Sequence, residues 1–239
     1  MAKIIKSGIG NTVSISYRMC AVRIGLYIFL AVAGASLVFF TYAISLVLLF
    51  PLLLIRRERT KMLILKHGIE GEIATMAVLK RLPRAYFVCP DVTITNGPHK
   101  AQMDHVVVGP NGVFVVETKN HKGVISGDDN DHDLLQKKKT NSGSRYTKRF
   151  YSPIRQVETH ARVLTQLLKQ NGYPLKAQGV VYFSYPKTKV RVRSGEIPVF
   201  SARRGGQRRL LWYIRHSKTT KLLTAQECKI IANTIANHR

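Results

Sequence analysis

The chain has 239 residues, of which 38 are lysine or arginine and 13 are aspartate or glutamate, so its formal net charge is +25. This length allows one soluble domain of ordinary size plus an appendage. The three cysteines, Cys20, Cys89 and Cys228, are far apart and form no metal-binding or redox motif, which excludes a cysteine framework and indicates ordinary thiols in a reducing compartment.

The positive charge belongs to the main body of the chain rather than to a tail. Residues 56–239 contain all 13 acidic residues and 34 of the 38 basic ones, a net charge of +21. Such a domain should attract a polyanion in a salt-sensitive way, and it carries more charge than solubility requires. Nucleic acid is the first candidate partner, and anionic lipid headgroups are the second.

The first predicted element is a transmembrane segment. Residues 24–55 contain no charged residue, and about 20 apolar residues suffice for a spanning helix. The run is long for one span and short for two, so either a tilted helix broken near Pro51 or a tight hairpin would fit. Both flanks are basic, which suits a hairpin with both ends in the cytoplasm, and balanced flanks do not orient a single pass.

A helix and two short strands are predicted next. Residues 62–82 have helical periodicity, and Pro83 ends the helix. Residues 86–89 and 92–95 are predicted as separate strands, because a bend is expected at Pro90-Asp91 between them.

A strong hairpin pattern follows. Gly109-Pro110-Asn111-Gly112 is a turn signal between two β-branched runs. If the hairpin is symmetric about its central two residues, paired residue numbers sum to 221 and Asp104 faces Glu117. Side chains alternate along a strand, so Lys119 shares the face of Glu117. The rest of both faces is apolar, which indicates a sheet covered on both sides.

The charged residues of the hairpin predict a metal site. Asp104 and Glu117 would repel each other and lose hydration in an apolar sheet, so they need a compensating charge. A hard divalent cation supplies it, and Mg²⁺ binds through one or two carboxylates plus substrate phosphate. Lys119 would then neutralise the phosphate or help position the attacking water. The alternative is an ion pair at the strand edge between Lys119 and either carboxylate.

Residues 126–151 are polar, with an acidic cluster followed by a basic run, and are interpreted as a long loop or a partly ordered insertion. Ser152-Pro153 is a good helix start, with serine as N-cap and proline at the first helical position, and this helix runs to about Gln170. An apolar strand is predicted at residues 177–184. It is followed by a basic, loop-rich stretch at residues 186–209 with one short strand at 197–200. Two helices are predicted at residues 207–214 and 224–237, and the second begins with a capping box.

The order of these elements matches the α-β-β-β-α-β core of the PD-(D/E)xK nuclease superfamily, an α/β fold with a mixed sheet flanked by helices. Over residues 66–184 the chain more closely resembles the NERD (nuclease-related) domain. The motifs that carry the resemblance are Gly71-Glu72, Met103-Asp104-His105, residues 109–120 and Pro153-x-x-Gln156. The predicted organisation is an N-terminal cytoplasmic segment (residues 1–23), the transmembrane segment (residues 24–55), the nuclease-like domain (residues 62–184) and a basic C-terminal extension with the terminal helices (residues 185–239).

The resemblance implies a metal-dependent nuclease in which Asp104 and Glu117 bind Mg²⁺ (or Mn²⁺) and Lys119 contacts phosphate or water. It also implies that Glu72 reaches the site from the first helix and Gln156 from the second, although either could be an ordinary polar helix residue. The two nearby histidines are interpreted otherwise, His105 as structural on the opposite face and His121 as a surface residue.

The chain departs from the family pattern in two places. Many members have asparagine at the position of Ser152, and residues 126–152 lack an expected tryptophan. Both departures concern the handling of substrate rather than the core of the site.

The sequence therefore predicts a membrane-anchored nuclease that hydrolyses phosphodiester bonds, with DNA expected as substrate ahead of RNA. Such an enzyme meets its polyanion in the cytoplasm, so we expect it in the cell inner membrane with its soluble domain facing the cytoplasm. Two alternatives remain open. One is a non-catalytic module that tethers nucleic acid at the membrane, and the other is a scaffold whose basic clusters contact anionic lipid.

Overall fold

The structure is a computed structural model that describes residues 1–4, 12–36, 50–96, 99–139, 143–218 and 222–237. The chain divides into two compact units. One comprises residues 10–70, and the other comprises residues 1–9 together with residues 71–239.

The smaller unit contains helix α1 (Thr12–Ser36) and most of helix α2 (Pro51–Leu79). Ile15–Ser36 is long and apolar enough to cross a membrane, and only 17% of its most apolar window is buried. Large apolar side chains such as Phe29, which is 68% exposed, lie on its surface and favour an apolar environment.

This candidate span begins earlier than the predicted transmembrane segment and shares only residues 24–36 with it. Pro51 is the first residue of helix α2, a position where proline is well tolerated. The choice between one long span and a tight hairpin depends on residues 37–49, which lie outside the described part of the chain.

The larger unit is built on a mixed six-stranded sheet in the order β1-β2-β3-β4-β8-β10. Strands β2, β3 and β4 form an antiparallel meander, and β8 and β10 continue the sheet parallel to β4. The strands are β1 (Lys3–Ile4), β2 (Phe87–Asn96), β3 (His99–Gly109), β4 (Gly112–Lys119), β8 (Gln178–Phe183) and β10 (Val199–Ser201). The predicted α/β fold class is confirmed.

Four further strands form a second mixed sheet in the order β7-β6-β5-β9. They are β5 (Val124–Asp128), β6 (Asp133–Lys139), β7 (Arg145–Tyr151) and β9 (Lys189–Arg193). The interpretation of residues 126–151 as a long loop was therefore wrong, because strands occupy most of them. In the basic stretch after residue 186, strand β10 matches the short strand predicted at residues 197–200, whereas β9 was not predicted. Charged residues conceal the strand pattern, but Ile125 and Leu134 are fully buried on one face of this sheet, which supplies its hydrophobic stabilisation.

Helices cover both faces of the six-stranded sheet. Helices α3 (Pro153–Gln170) and α5 (Ala225–Asn237) pack on one face, and the end of α2 packs with α4 (Gly206–His216) on the other. The valines at 106, 108, 113 and 115 enter the first core and Val107, Phe114 and Val116 enter the second. The prediction that both faces of the hairpin are buried is confirmed.

The predicted starts of two helices are also confirmed. The backbone N–H of Thr224 donates to Glu227 Oε2 at 2.7 Å, and the backbone N–H of Glu227 donates to Thr224 Oγ1 at 3.2 Å, which is a complete capping box. Ser152 occupies the N-cap of α3, but its hydroxyl makes no capping hydrogen bond and is fully buried.

The bend predicted at Pro90-Asp91 does not separate two strands. Strand β2 runs through it without a break, because Asp91 takes a left-handed conformation with φ of 50° and the pairing with β3 resumes at Val92. Gln102 on the neighbouring strand donates to Asp91 Oδ1 at 2.8 Å, which holds the kinked residue in place.

Gly109 closes the hairpin against an aromatic ring. A Cβ at this position would lie 2.2 Å from two ring carbons of Tyr86, and the Tyr86 hydroxyl is tied to Asn111 Oδ1 at 2.5 Å. Gly109→Ala is therefore expected to destabilise the domain by about 1–3 kcal/mol through overpacking, measured as a lower thermal midpoint of the full-length protein in detergent. Gly25→Ala is the control, since a Cβ there meets nothing within 4 Å. Equal midpoints for the two variants would contradict the packing argument.

Candidate active site

The site lies where the hairpin ladder ends. The residue numbers of the pairs from Gly109↔Gly112 to His105↔Val116 all sum to 221, which confirms the predicted register and shows that the turn has two residues. Asp104 and Glu117 come next in this register. At that point a side-chain hydrogen bond takes the place of backbone pairing between the strands: the backbone N–H of Thr118 donates to Asp104 Oδ2 at 2.7 Å.

Lys119 joins the hairpin to helix α3. Its Nζ donates to Glu117 Oε1 at 2.6 Å and to Gln156 Oε1 at 3.0 Å. Glu117 is 1% exposed, whereas the Lys119 side chain keeps 21% of its surface accessible. Lys119 therefore contacts a buried carboxylate while part of its own side chain remains accessible to solvent.

His160 is a site residue that the sequence reasoning missed. Its Nδ1 lies 3.4 Å from Glu117 Oε2, opposite the oxygen that Lys119 contacts. His160 follows Gln156 by four residues on α3, and residues at this spacing share a helix face. That spacing, once Gln156 was a candidate, is the sequence signal that could have identified it.

Burial raises the pKa of Asp104 well above its usual range, and the charge of Glu117 raises it further. The charge of Glu72, on helix α2, acts in the same direction, while Lys119 and the backbone N–H of Thr118 oppose it. Glu72 therefore influences the ionisation of Asp104, and its place in the site stays a prediction.

Glu117 has the opposite balance. Burial disfavours its ionised form, but His160 and Lys119 outweigh that penalty and lower the pKa of Glu117. The site thus keeps Glu117 ionised beside a second carboxyl group that resists ionisation. Neighbouring carboxyl groups whose pKa values are shifted in opposite directions are a common feature of catalytic sites.

The two neighbouring histidines are both packed into the protein. Burial lowers the pKa of His105 to about 4, and its ring hydrogen-bonds to the backbone of Glu72, consistent with the predicted structural role. His121 is half-buried with its ring 4.3 Å from that of Phe150, so the prediction of a surface histidine was wrong. Burial also lowers the pKa of His121 to about 4, with help from the charges of Lys119, Lys138 and Lys148.

One face of the four-stranded sheet is strongly basic. Strand register and alternating burial place seven exposed lysine and arginine side chains on its outer face: Lys137, Lys139, Arg145, Arg149, Lys189, Arg191 and Arg193. The sheet adjoins the site, because the backbone N–H of Lys189 donates to Gly123 O just after the loop that leaves Lys119. This outer basic face is suited to a polyanion.

The donor set at the hairpin suits a hard divalent cation. Among the described residues no group of three or more His, Cys, Asp or Glu side chains is placed to hold a metal ion, which does not fit a closed zinc site. Mg²⁺, however, takes one or two carboxylates and completes its shell with water and phosphate. Asp104 and Glu117 provide that pair, and Glu117 Oε2 is buried with His160 Nδ1 3.4 Å away but without a hydrogen bond to a described residue.

A helix-flanked mixed sheet with a carboxylate–lysine cluster at the end of a hairpin defines a nuclease-like α/β core. Comparison with known families agrees, since residues 67–184 match NERD, the nuclease-related domain. This segment of the chain belongs to that family.

One similar protein is an uncharacterized protein of Bacillus anthracis, 33% identical over 105 residues. The similarity covers 43% of this chain and 47% of the relative, so it spans about half the length of that protein. No solved structure matches.

Proposed function

We propose that the protein is a membrane-anchored, Mg²⁺-dependent nuclease that hydrolyses phosphodiester bonds in DNA, with Mn²⁺ able to replace Mg²⁺. The observation that carries the proposal is the cluster of Asp104, buried Glu117 and Lys119 at the end of the hairpin ladder. The nuclease-related family of residues 67–184 supports it, as does the outer basic face beside the cluster.

Each residue has a distinct part in the proposed reaction. Asp104 and Glu117 would hold the cation, which when bound would supply positive charge to the scissile phosphate. Lys119 would exchange one of its present acceptors for a phosphate oxygen and stabilise developing negative charge. Gln156 keeps the ammonium group at the site through its 3.0 Å contact, and Glu72 adds negative charge beside Asp104.

Helix α1 is the proposed anchor. Its apolar and mostly exposed span, Ile15–Ser36, has the length a bilayer requires. We place the protein in the cell inner membrane with the nuclease-related unit in the cytoplasm, where DNA is present. Fractionation of expressing cells, followed by protease treatment of sealed vesicles, tests this placement. Protection of the soluble unit inside right-side-out vesicles is the expected result, and its digestion there would contradict it.

The catalytic proposal is tested with the full-length protein in detergent. Supercoiled DNA, linear DNA and RNA are incubated with Mg²⁺, Mn²⁺ or EDTA, and cleavage products are resolved by size. Metal-dependent cleavage of DNA is the expected result. Salt-sensitive DNA binding with no cleavage under any metal condition would replace the proposal with that of a module that only tethers nucleic acid.

His160 is proposed to position Glu117 for metal binding. His160→Gln should lower kcat/KM for DNA by about 10-fold, the lower end of losses for residues that orient a metal ligand, and should raise the Mg²⁺ concentration needed for half-maximal activity. Lys169→Gln, an exposed substitution near the other end of α3, is the control. Unchanged Mg²⁺ dependence in His160→Gln would rule out this role.

A further inference from the structure

A basic cavity lies outside the hairpin site. It has a volume of about 510 Å³ and is bounded by strands β9 and β10 and the start of helix α4. Five of its lining residues are basic and none is acidic: Lys189, Arg191, Arg203, Arg204 and Arg209. Within the part of the chain that the structure describes, none of the five forms an ion pair. An anion in the cavity would therefore be attracted by five positive charges.

The backbone at the mouth of helix α4 is strained. Arg204 has φ of 51° and ψ of 51°, the left-handed region that a residue with a Cβ rarely adopts, and Gly205 follows with φ of 77°. Helix α4 then begins at Gly206, with its first N–H groups and the positive end of its dipole facing this segment. Strain of this kind in a non-glycine residue is concentrated at ligand sites.

The cavity shares an edge of the six-stranded sheet with the hairpin site. Parallel strands β4, β8 and β10 end in register at Lys119, Phe183 and Ser201. Thr188, which lines the cavity, donates its hydroxyl hydrogen to the backbone carbonyl of His121, two residues beyond Lys119. Ligands of α/β proteins gather at the carboxyl ends of parallel strands, so both features lie on the edge where a ligand is expected.

The separation of the two features suits one nucleic-acid strand. Strand β10 is two positions from β4, which corresponds to about 10 Å at the usual spacing between neighbouring strands. Successive base pairs of a duplex rise by about 3.4 Å. Neighbouring phosphates of one strand lie farther apart than this rise, because the backbone winds around the helix axis, so a strand bound at Lys119 would bring one of its next few phosphates to the cavity.

We propose that this cavity is a second phosphate-binding site, which holds a phosphate group of the nucleic acid a few nucleotides from the bond at the hairpin site. Arginine suits this task, because its planar guanidinium group can contact two phosphate oxygens at once. The choice of nucleic acid as the ligand rests on the function proposed above. The bound group is either an internal phosphodiester or a terminal phosphate of a strand. Both present anionic oxygens that accept hydrogen bonds from the guanidinium groups.

The test measures binding by the full-length protein in EDTA, so that no cleavage occurs. Fluorescence anisotropy of a labelled DNA duplex is recorded over a range of salt concentrations. Arg203→Gln/Arg204→Gln/Arg209→Gln removes three cavity charges that are not part of the outer basic face, and Lys169→Gln/Lys176→Gln/Lys229→Gln removes three exposed charges elsewhere. Loss of one phosphate contact should weaken binding by about 10-fold and reduce the slope of log Kd against log salt by about 1. Equal slopes and affinities for the two triple variants would overturn the proposal.

A second variant separates binding from folding. Arg204→Gly removes one guanidinium group and also relieves the left-handed strain, so it should raise the thermal midpoint while weakening DNA binding. Unchanged binding by this more stable variant would count against the site.

Two further arms identify the source of the phosphate. Tighter binding of a 5′-phosphorylated duplex than of its 5′-hydroxyl form, lost in the arginine variant, would assign the cavity to a terminal phosphate. Equal binding of the two forms, weakened alike in the arginine variant, would assign it to an internal phosphodiester. If the three arginines affected binding to phosphatidylglycerol nanodiscs and not to DNA, the cavity would instead be a lipid contact and the proposal would fail. Because all these measurements exclude cleavage, their outcome is independent of whether the hairpin site proves catalytic.

Discussion

Glu117→Gln is expected to lower kcat/KM for DNA cleavage by at least about 100-fold, comparable to removing one electrostatic contact to the reacting oxygens. The substitution keeps the shape of the side chain but removes the negative charge that would hold the cation. It also replaces the charged acceptor of the 2.6 Å contact from Lys119 with a neutral amide. Initial rates over a Mg²⁺ titration measure the effect, and saturating Mg²⁺ should restore little of the activity.

Glu158→Gln provides a matched control for this loss. Glu158 lies on helix α3 as well, but its side chain is 59% exposed and its contact with Arg162 is a surface ion pair at 3.6 Å. Such pairs contribute about 0–1 kcal/mol, so this variant should cleave at the wild-type rate. Wild-type activity in Glu117→Gln, or equal losses in both variants, would sink the assignment of Glu117 to metal binding.

Lys119→Met is expected to combine a large loss of activity with a loss of stability. Cleavage should fall by about 100-fold, because the ammonium group that would stabilise developing negative charge on the phosphate is removed. Removing one partner of a fully buried ion pair costs about 3–5 kcal/mol. Since the Lys119 side chain keeps 21% of its surface exposed, we expect the free energy of unfolding to decrease by about 2 kcal/mol.

The double variant Glu117→Gln/Lys119→Met separates these two effects. It leaves no unpaired buried charge, so it should regain most of the lost stability while remaining inactive. Lys187→Met, at an exposed position, controls for the general loss of a positive charge. Thermal midpoints and initial rates are measured for the wild type, Lys119→Met, the double variant and Lys187→Met. If the double variant were less stable than Lys119→Met, the ion pair would not be the source of the cost.

The part of the fold that could be predicted from sequence is the part governed by local rules. The hairpin register follows from one turn and from the two-residue alternation of side chains, and both are visible in residues 104–117. The helix caps at Ser152 and Thr224 are local for the same reason. The position of Lys119 relative to Glu117 was therefore predictable before any tertiary contact was known.

The features that were missed depend on contacts between distant segments. Strand β5 pairs with β9, although about 60 residues separate them in the chain, and the high charge of both conceals their alternation. The role of His160 depends on how α3 docks against β4, which its own sequence does not specify. Asp91 keeps β2 continuous because Gln102 on the next strand holds it, and neither residue alone indicates this.

The two-residue turn at Pro110-Asn111 also limits which insertions the protein can tolerate. Loop tips are normally the places where insertions are tolerated, and this one lies roughly 17 Å from Glu117 at about 3.4 Å per residue. A shift of one residue in the pairing would move Asp104 to the opposite face of the sheet. An insertion that shifted the strand pairing by one residue would then separate Asp104 from Glu117 and abolish activity, although every residue of the site would still be present. Length variation is therefore expected to accumulate in the four-stranded sheet, where it can modify the contact with nucleic acid, and to be purged from this turn.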